Sequence, residues 1–262
     1  MTTSIISETE PSPTIFFTPG AWHSPWVFDE VRSILSARGF GTEASSLATV
    51  ESADSSVGTV SDAAKVRSAL TKLIDEGKEV VIVAHSYGGA VASNAVEGLG
   101  IEHRTSNGLK GGVILILYLA AFALPAKTTV LAALGVSYLD WWKVSEDGFL
   151  TPLEPLDVFY ADVEPSLAKK AIDDLKPMPL RVLTDISAYS PLDGGFEVGY
   201  IFAEKDQAVP IGVQHAMFSQ FPAGSFSASL ASSHSPFFSI PDTLADTIQK
   251  ATESVLAKRS SK

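Results

Sequence analysis

The stretch Val80–Gly89 limits the fold more than any other part of this 262-residue chain. Val80-Val81-Ile82-Val83 is a continuous β-branched run, the pattern of a strand buried on both faces, as in a parallel sheet covered by helices. It leads directly into Ala84-His85-Ser86-Tyr87-Gly88-Gly89, with small residues two before and two after a serine. Small side chains there allow a turn so tight that backbone segments nearly touch, with the serine hydroxyl projecting from the sheet. A helix-like segment from Gly88 to Val96 follows. Strand, sharp turn and helix in that order call for alternating α and β layers.

The rest of the chain repeats the rhythm. Ile15-Phe16-Phe17 reads as a strand closed by the Pro19-Gly20 turn. Pro25 suits the first turn of a helix carrying Val27, Phe28, Val31, Ile34 and Leu35, with Gly39 as its stop. After a Ser/Ala/Thr-rich loop, Asp62 to Glu76 repeats the helical spacing and ends at Gly77. Val113 to Leu117 and Tyr200 to Phe202 read as further buried strands, and Thr243 to Ala257 as a closing amphipathic helix. The expected fold class is therefore α/β, a mostly parallel central sheet flanked by helices. Residues 124–195 break the rhythm with prolines and an aromatic cluster (Tyr138, Trp141, Trp142, Phe149, Phe159, Tyr160), and read as an insertion over the sheet edge. Residues 1–12, polar with two prolines, read as a flexible lead-in to a single domain over 13–262.

Composition removes several classes of function. A net charge of −11 argues against nucleic acid, which requires a basic surface, and against anionic membranes. The absence of cysteine excludes disulfides, thiolate metal sites and cysteine nucleophiles. The start of the chain has neither the basic nor the apolar region of a secretory signal, and Val113 to Leu124 falls short of the ~20 residues that span a bilayer. Cytoplasmic location is the default expectation. No His-x-x-x-His pair or dense carboxylate cluster suggests a metal. Gly88-Gly89 lacks both the dinucleotide spacing and a phosphate-loop lysine, so no cofactor is expected.

The chemistry follows from the turn. A serine hydroxyl is a weak nucleophile until a base accepts its proton. For Ser86 the best base is His234, in the small polar loop Ser232-Ser233-His234-Ser235-Pro236. His85 should point away from Ser86 as a packed residue, while His103 and His215 read as surface residues. The carboxylate that orients the base should follow a strand between serine and histidine in the sequence. Asp206, after Tyr200-Ile201-Phe202-Ala203, fits best, with Glu204 and Asp193 as rivals. Acyl transfer also needs two backbone N–H groups for the tetrahedral oxygen, and Ala21 and Tyr87 are the natural pair. Expected substrate contacts are Trp22, His23, Tyr138, Trp141 and Trp142.

Over nearly its whole length the sequence resembles the α/β-hydrolase branch that includes the plant methyl esterases and the hydroxynitrile lyases, with bacterial and fungal relatives. The pieces that carry the resemblance are Pro19-Gly20-Ala21-Trp22-His23 with Trp26, His85-Ser86-Tyr87-Gly88-Gly89, Tyr118-Leu119-Ala120-Ala121-Phe122, Lys205-Asp206-Gln207-Ala208-Val209-Pro210 and Ser233-His234-Ser235-Pro236. It implies an α/β-hydrolase fold with Ser86, Asp206 and His234 as triad, Ala21 and Tyr87 as oxyanion hole, and a helical cap over residues 124–195. Two departures stand out. The family often has His-Gly where this chain has Pro19-Gly20, which bears on hydrogen bonding behind the oxyanion loop. Its cyanohydrin-cleaving members carry a lysine directly after the catalytic histidine, and here that place is Ser235, which favours the esterase side.

The leading expectation is thus a serine hydrolase cleaving a small or medium apolar carboxylic ester (methyl ester-like) or lactone through an acyl-enzyme. A lyase or C–C bond-cleaving enzyme on the same triad, and a non-catalytic small-molecule binder, are the alternatives. The expected partner is a small-molecule substrate, with no nucleic acid and no membrane, and the sequence leaves room for a homodimer.

Overall fold

The computed structural model describes residues 12–261, so the expected lead-in lies outside the described residues except for Ser12. In chain order the first half holds β1 (Thr14–Thr18), α1 (Asp29–Ala37), β2 (Gly41–Ala44), α2 (Thr59–Asp75), β3 (Glu79–His85), α3 (Gly88–Ala95), α4 (Ile101–Ser106) and β4 (Gly112–Leu119). A long segment then carries α5 (Val130–Leu134), β5 (Trp142–Val144), β6 (Phe149–Pro152), α6 (Pro155–Phe159), α7 (Pro165–Asp174), β7 (Met178–Pro179) and α8 (Arg181–Thr184). The chain closes with β8 (Val198–Ala203), α9 (Ile211–Phe218), β9 (Phe226–Leu230), α10 (Pro236–Ser239) and α11 (Pro241–Ser260).

The main sheet has the order β2-β1-β3-β4-β8-β9, with every neighbouring pair parallel. Its apolar residues alternate between two cores, as the two-residue repeat of a strand requires. Phe16, Val80, Ile82, Ile116, Tyr118 and Tyr200 face the side covered by α2, α3 and the inserted segment. Ile15, Phe17, Val81, Val83, Leu117 and Ile201 face the side covered by α1, α10 and α11. On α11, Leu244, Ile248 and Val255 share one buried stripe. Burying each contributes about 1.5–3 kcal/mol, which outweighs the roughly 1 kcal/mol forgone because no side chain caps the helix start.

Three elements depart from the sequence expectation. The loop expected after α1 contains β2, an edge strand whose Gly-Thr-Glu-Ala sequence has no apolar run because one side has no strand to cover. At the opposite edge β9, Phe-Ser-Ala-Ser-Leu, is similarly only half buried. The insertion is also less helical than expected, since β5, β6 and β7 form a small antiparallel sheet. Strands of two to four residues are too short to leave a periodic signature. This mixed cap joins β4 to β8, so it lies at the carboxyl ends of the strands, where open α/β sheets place their ligands.

Candidate active site

β3 ends at His85 and α3 starts at Gly88, leaving Ser86 and Tyr87 to reverse the chain. Ser86 adopts the left-handed conformation, φ +54°, sparsely populated for any residue with a Cβ. The surroundings hold it there: Ser86 N–H donates to Leu119 C=O at 3.2 Å, and Ser86 C=O accepts from Gly89 N–H and Phe122 N–H, each at 3.0 Å. The need for small neighbours has a direct cause. A Cβ on Gly88 would sit 2.5 Å from Pro19 O and 2.6 Å from Thr18 O, both backbone atoms that cannot move aside. One on Gly20 would lie 2.9 Å from both Ser86 Cβ and His85 Nδ1.

Asp206 follows β8 and His234 lies between β9 and α10, so two neighbouring strands deliver them to the same end of the sheet. His234 Nδ1 donates to Asp206 Oδ2 at 2.7 Å, and both residues are buried. The other carboxylate oxygen accepts Ala208 N–H at 2.8 Å and Val209 N–H at 2.9 Å, and Gln214 Nε2 reaches Oδ2 at 3.3 Å. With Nδ1–H committed to the carboxylate, a neutral His234 keeps its lone pair on Nε2, the arrangement a general base needs. Glu204 and Asp193, the rival carboxylates, are exposed. Ser86 Oγ makes no hydrogen bond among the described residues, so the structure joins Asp206 to His234 and leaves the Ser86 hydroxyl unpaired.

The remaining histidines separate by environment. His85 is buried and its Nε2–H donates to the backbone carbonyl of His234 at 2.9 Å, with the two rings 4.5 Å apart. The residue before Ser86 therefore pins the loop that carries His234. Burial, then the nearby His234 and His23, hold its pKa well below the ordinary histidine value, so it stays neutral. His103 and His215 are exposed, His215 with its ring against Phe202.

A narrow cavity of about 340 Å³, its mouth included, opens at Ser86. Ala21, Trp22, Tyr87 and Phe122 line it from the sheet side, Trp141, Trp142, Phe159 and Leu183 from the cap. Among the described residues, none that lines it is charged. Ala21 N–H and Tyr87 N–H make no hydrogen bond among the described residues, whereas the next amide, Trp22 N–H, is taken by the Met178 sulfur. The indole N–H of Trp142 is buried without a partner among those residues.

Two expected substrate contacts lie elsewhere. His23 is not part of the cavity wall. Its Nδ1–H donates to Ala21 C=O at 2.6 Å and its Nε2 accepts the Tyr160 hydroxyl at 2.7 Å, so both ring nitrogens are spent tying the loop after β1 to α6. Burial lowers its pKa to about 4, which keeps it neutral. Tyr138 is half exposed because its hydroxyl turns back to donate to Trp142 C=O at the cap surface. Conversely, Val130, Leu134, Leu183, Ala208 and Val209 complete the wall without having been expected to. Ala208-Val209 follow Asp206 directly and could have been found from that spacing, but nothing in the sequence marks the cap leucines. Among the described residues, no group of three or more histidines and carboxylates is placed to hold a metal ion.

A parallel sheet with helices on both faces, a serine on a strained strand-to-helix turn, and a histidine–carboxylate pair on later strands define an α/β hydrolase. The chain belongs to the alpha/beta hydrolase family, whose model matches residues 15–247. Among curated relatives it is similar to the alpha/beta hydrolase nvfD of Aspergillus novofumigatus, 27% identical over 245 residues, covering 91% of this chain and 96% of that one. Among solved structures it is similar in fold to the methylesterase MES16 from Arabidopsis, with a TM-score of 0.73 and 21% identity over 92% of this chain and 99% of the other. A pyrethroid hydrolase from Sphingobium faniae JZ-2 gives a TM-score of 0.71 and 22% identity over 92% of this chain and 98% of the other.

Proposed function

We propose that this protein is a serine hydrolase that cleaves compact, neutral carboxylic esters through an acyl-enzyme, with Ser86 as nucleophile, His234 as base and Asp206 as the orienting acid. The observation that carries the reading is the buried Asp206–His234 hydrogen bond at 2.7 Å, held by His85 beside a serine on a strained turn. Hydrogen bonds between nucleophile and base are commonly open in an empty site and tighten when substrate is bound. On binding, His234 Nε2 takes the Ser86 proton as Oγ attacks the ester carbonyl. The negative charge that develops on oxygen is received by Ala21 N–H and Tyr87 N–H, donors with no other partner among the described residues. Collapse breaks the C–O bond, and the imidazolium returns its proton to the leaving alcohol. Water, deprotonated by the same ring, then attacks the acyl-enzyme and releases the acid.

The apolar, uncharged wall favours an acyl or alcohol group that is itself neutral, and the aromatic residues favour a flat one. The names of the methylesterase and the pyrethroid hydrolase, both of the same fold, are in keeping with an ester substrate. The test is turnover of methyl and nitrophenyl esters beside cyanohydrins and β-diketones. Ester turnover that falls about 10³-fold or more in Ser86→Ala supports the reading. Turnover of only the non-ester compounds overturns it in favour of a lyase.

A further inference from the structure

Asp62 lies in the first turns of α2, is fully buried, and pairs with no cation among the described residues. A buried carboxylate in that position is costly unless its oxygens are well satisfied. Here Oδ1 accepts Thr49 N–H at 2.9 Å, while Oδ2 accepts the Thr49 hydroxyl at 2.8 Å and the Tyr87 hydroxyl at 2.8 Å. The Tyr87 oxygen also lies 3.1 Å from Thr59 Oγ1. Burial and the Asp62 carboxylate hold the Tyr87 phenol far above its ordinary pKa, so it remains a donor. The phenol is thus one of the donors that keep this buried carboxylate satisfied, and it ties the ring next to Ser86 to α2.

We propose that Asp62, acting through the Tyr87 hydroxyl, is a positioning residue that aims the Tyr87 backbone N–H at the developing oxyanion. Tyr87 follows the nucleophile directly and is the residue where the strained turn passes into helix, with φ −52° and ψ −31°. Its ring is buried and its backbone carbonyl is fixed by Val91 N–H at 3.3 Å. With its hydroxyl held by Asp62 and its carbonyl held by Val91 N–H, Tyr87 is fixed at two points on either side of its Cα, which limits how far the peptide between Ser86 and Tyr87 can shift. Thr49, on the same carboxylate, starts a short turn that packs against β7, and β7 supplies the Met178 sulfur that takes Trp22 N–H beside the other oxyanion donor. The two halves of the oxyanion site are thus braced against the same cap strand.

The proposal rests on the ester-hydrolase reading, and its test separates the two. Tyr87→Phe, Asp62→Asn and the double variant are compared with the parent on p-nitrophenyl acetate, and by the rate at which a fluorophosphonate labels Ser86. Thermal melting establishes that each variant is folded. Each single variant should lose about tenfold in kcat, with KM held within about twofold, because a misaimed donor weakens transition-state binding more than ground-state binding. Labelling should slow in parallel. The double variant should be no slower than the slower single one, since both changes break one link. Tyr87→Phe removes a single oxygen and carries the test alone should Asp62→Asn fail to fold. A folded Tyr87→Phe with parental kcat and labelling rate overturns the proposal, as does a rise in KM with unchanged kcat, or additive losses in the double variant. A parent that neither turns over esters nor labels at Ser86 overturns the hydrolase reading itself, a result distinct from variants that match an active parent.

Discussion

Single atoms decide much of this site. At Gly88 a methyl group would meet two backbone oxygens at 2.5 and 2.6 Å, and neither can retreat without moving the end of β1 or the Pro19-Gly20 turn. Gly88→Ala should therefore lower the unfolding free energy by about 3 kcal/mol or more, measured by urea denaturation. Gly212, on α9 with open space around its Cα, is the contrasting case, and Gly212→Ala should gain up to about 1 kcal/mol. His23 supplies the pH dependence. Burial lowers its folded pKa from 6.5 to about 4, so the unfolded chain takes up its proton first as pH falls. Its contribution is fully present above pH 6.5, declines below it, and is gone by about pH 4, a swing of about 3 kcal/mol. His85, also depressed by burial, acts with the same sign. Stability curves between pH 7 and 4 should be steep in the parent and flatter in His23→Gln.

At the scale of elements, the loop between β9 and α10 has to hold an imidazole in place without secondary structure of its own. Beside the bonds from His85 and Asp206, a further anchor comes from the inserted segment. The Asp162 carboxylate accepts both Ser233 N–H, at 2.7 Å, and the Ser233 hydroxyl, and Ser233 Oγ also lies 3.3 Å from Phe159 O. Since Asp162 is exposed, Asp162→Ala should change the melting temperature little while lowering kcat about tenfold through a misplaced His234. Steady-state kinetics beside a thermal melt would check this, and an unchanged kcat would show that the loop holds itself. Trp22 forms a second fastening. Its indole N–H reaches Leu150 O at 2.9 Å, and its carbonyl accepts Lys176 N–H at 3.1 Å. The inserted segment thereby holds both the loop that carries His234 and the loop that carries Ala21 and Trp22.

For the molecule as a whole, the cap is bonded to the sheet domain at separated points, among them Trp26 to Asp174 at 2.7 Å and Thr59 N–H to Asp185 at 2.9 Å. Between them lies a narrow cavity with a largely apolar lining, in a chain of net charge −11. A net charge of −11 repels anionic substrates, and the wall holds no cation to receive one. For an ester carrying a free carboxylate, kcat/KM should be low and should rise with ionic strength as that repulsion is screened. For a neutral ester of the same size it should stay flat. Initial rates from about 10 to 500 mM salt would separate the two.

Local rules within the sequence settled the layers of this protein and the position of its serine. A β-branched strand ending in small residues around Ser86 can be accommodated only where backbones cross closely, and that demand is written in adjacent residues. That Asp206 and His234 each lie just beyond a later strand was also legible, because turn residues follow the apolar runs there. Folding alone decided what depends on contacts between distant segments. Asp206 differs from Glu204 by burial and by its bond to His234, and two residues of spacing cannot express that difference. His23 stands in the right loop yet faces the cap, because Tyr160, 137 positions away, supplies the partner for its second nitrogen. The small cap sheet and the edge strands β2 and β9 were hidden for a related reason: their pairing comes from neighbours, and strands that short or half exposed carry no periodicity of their own.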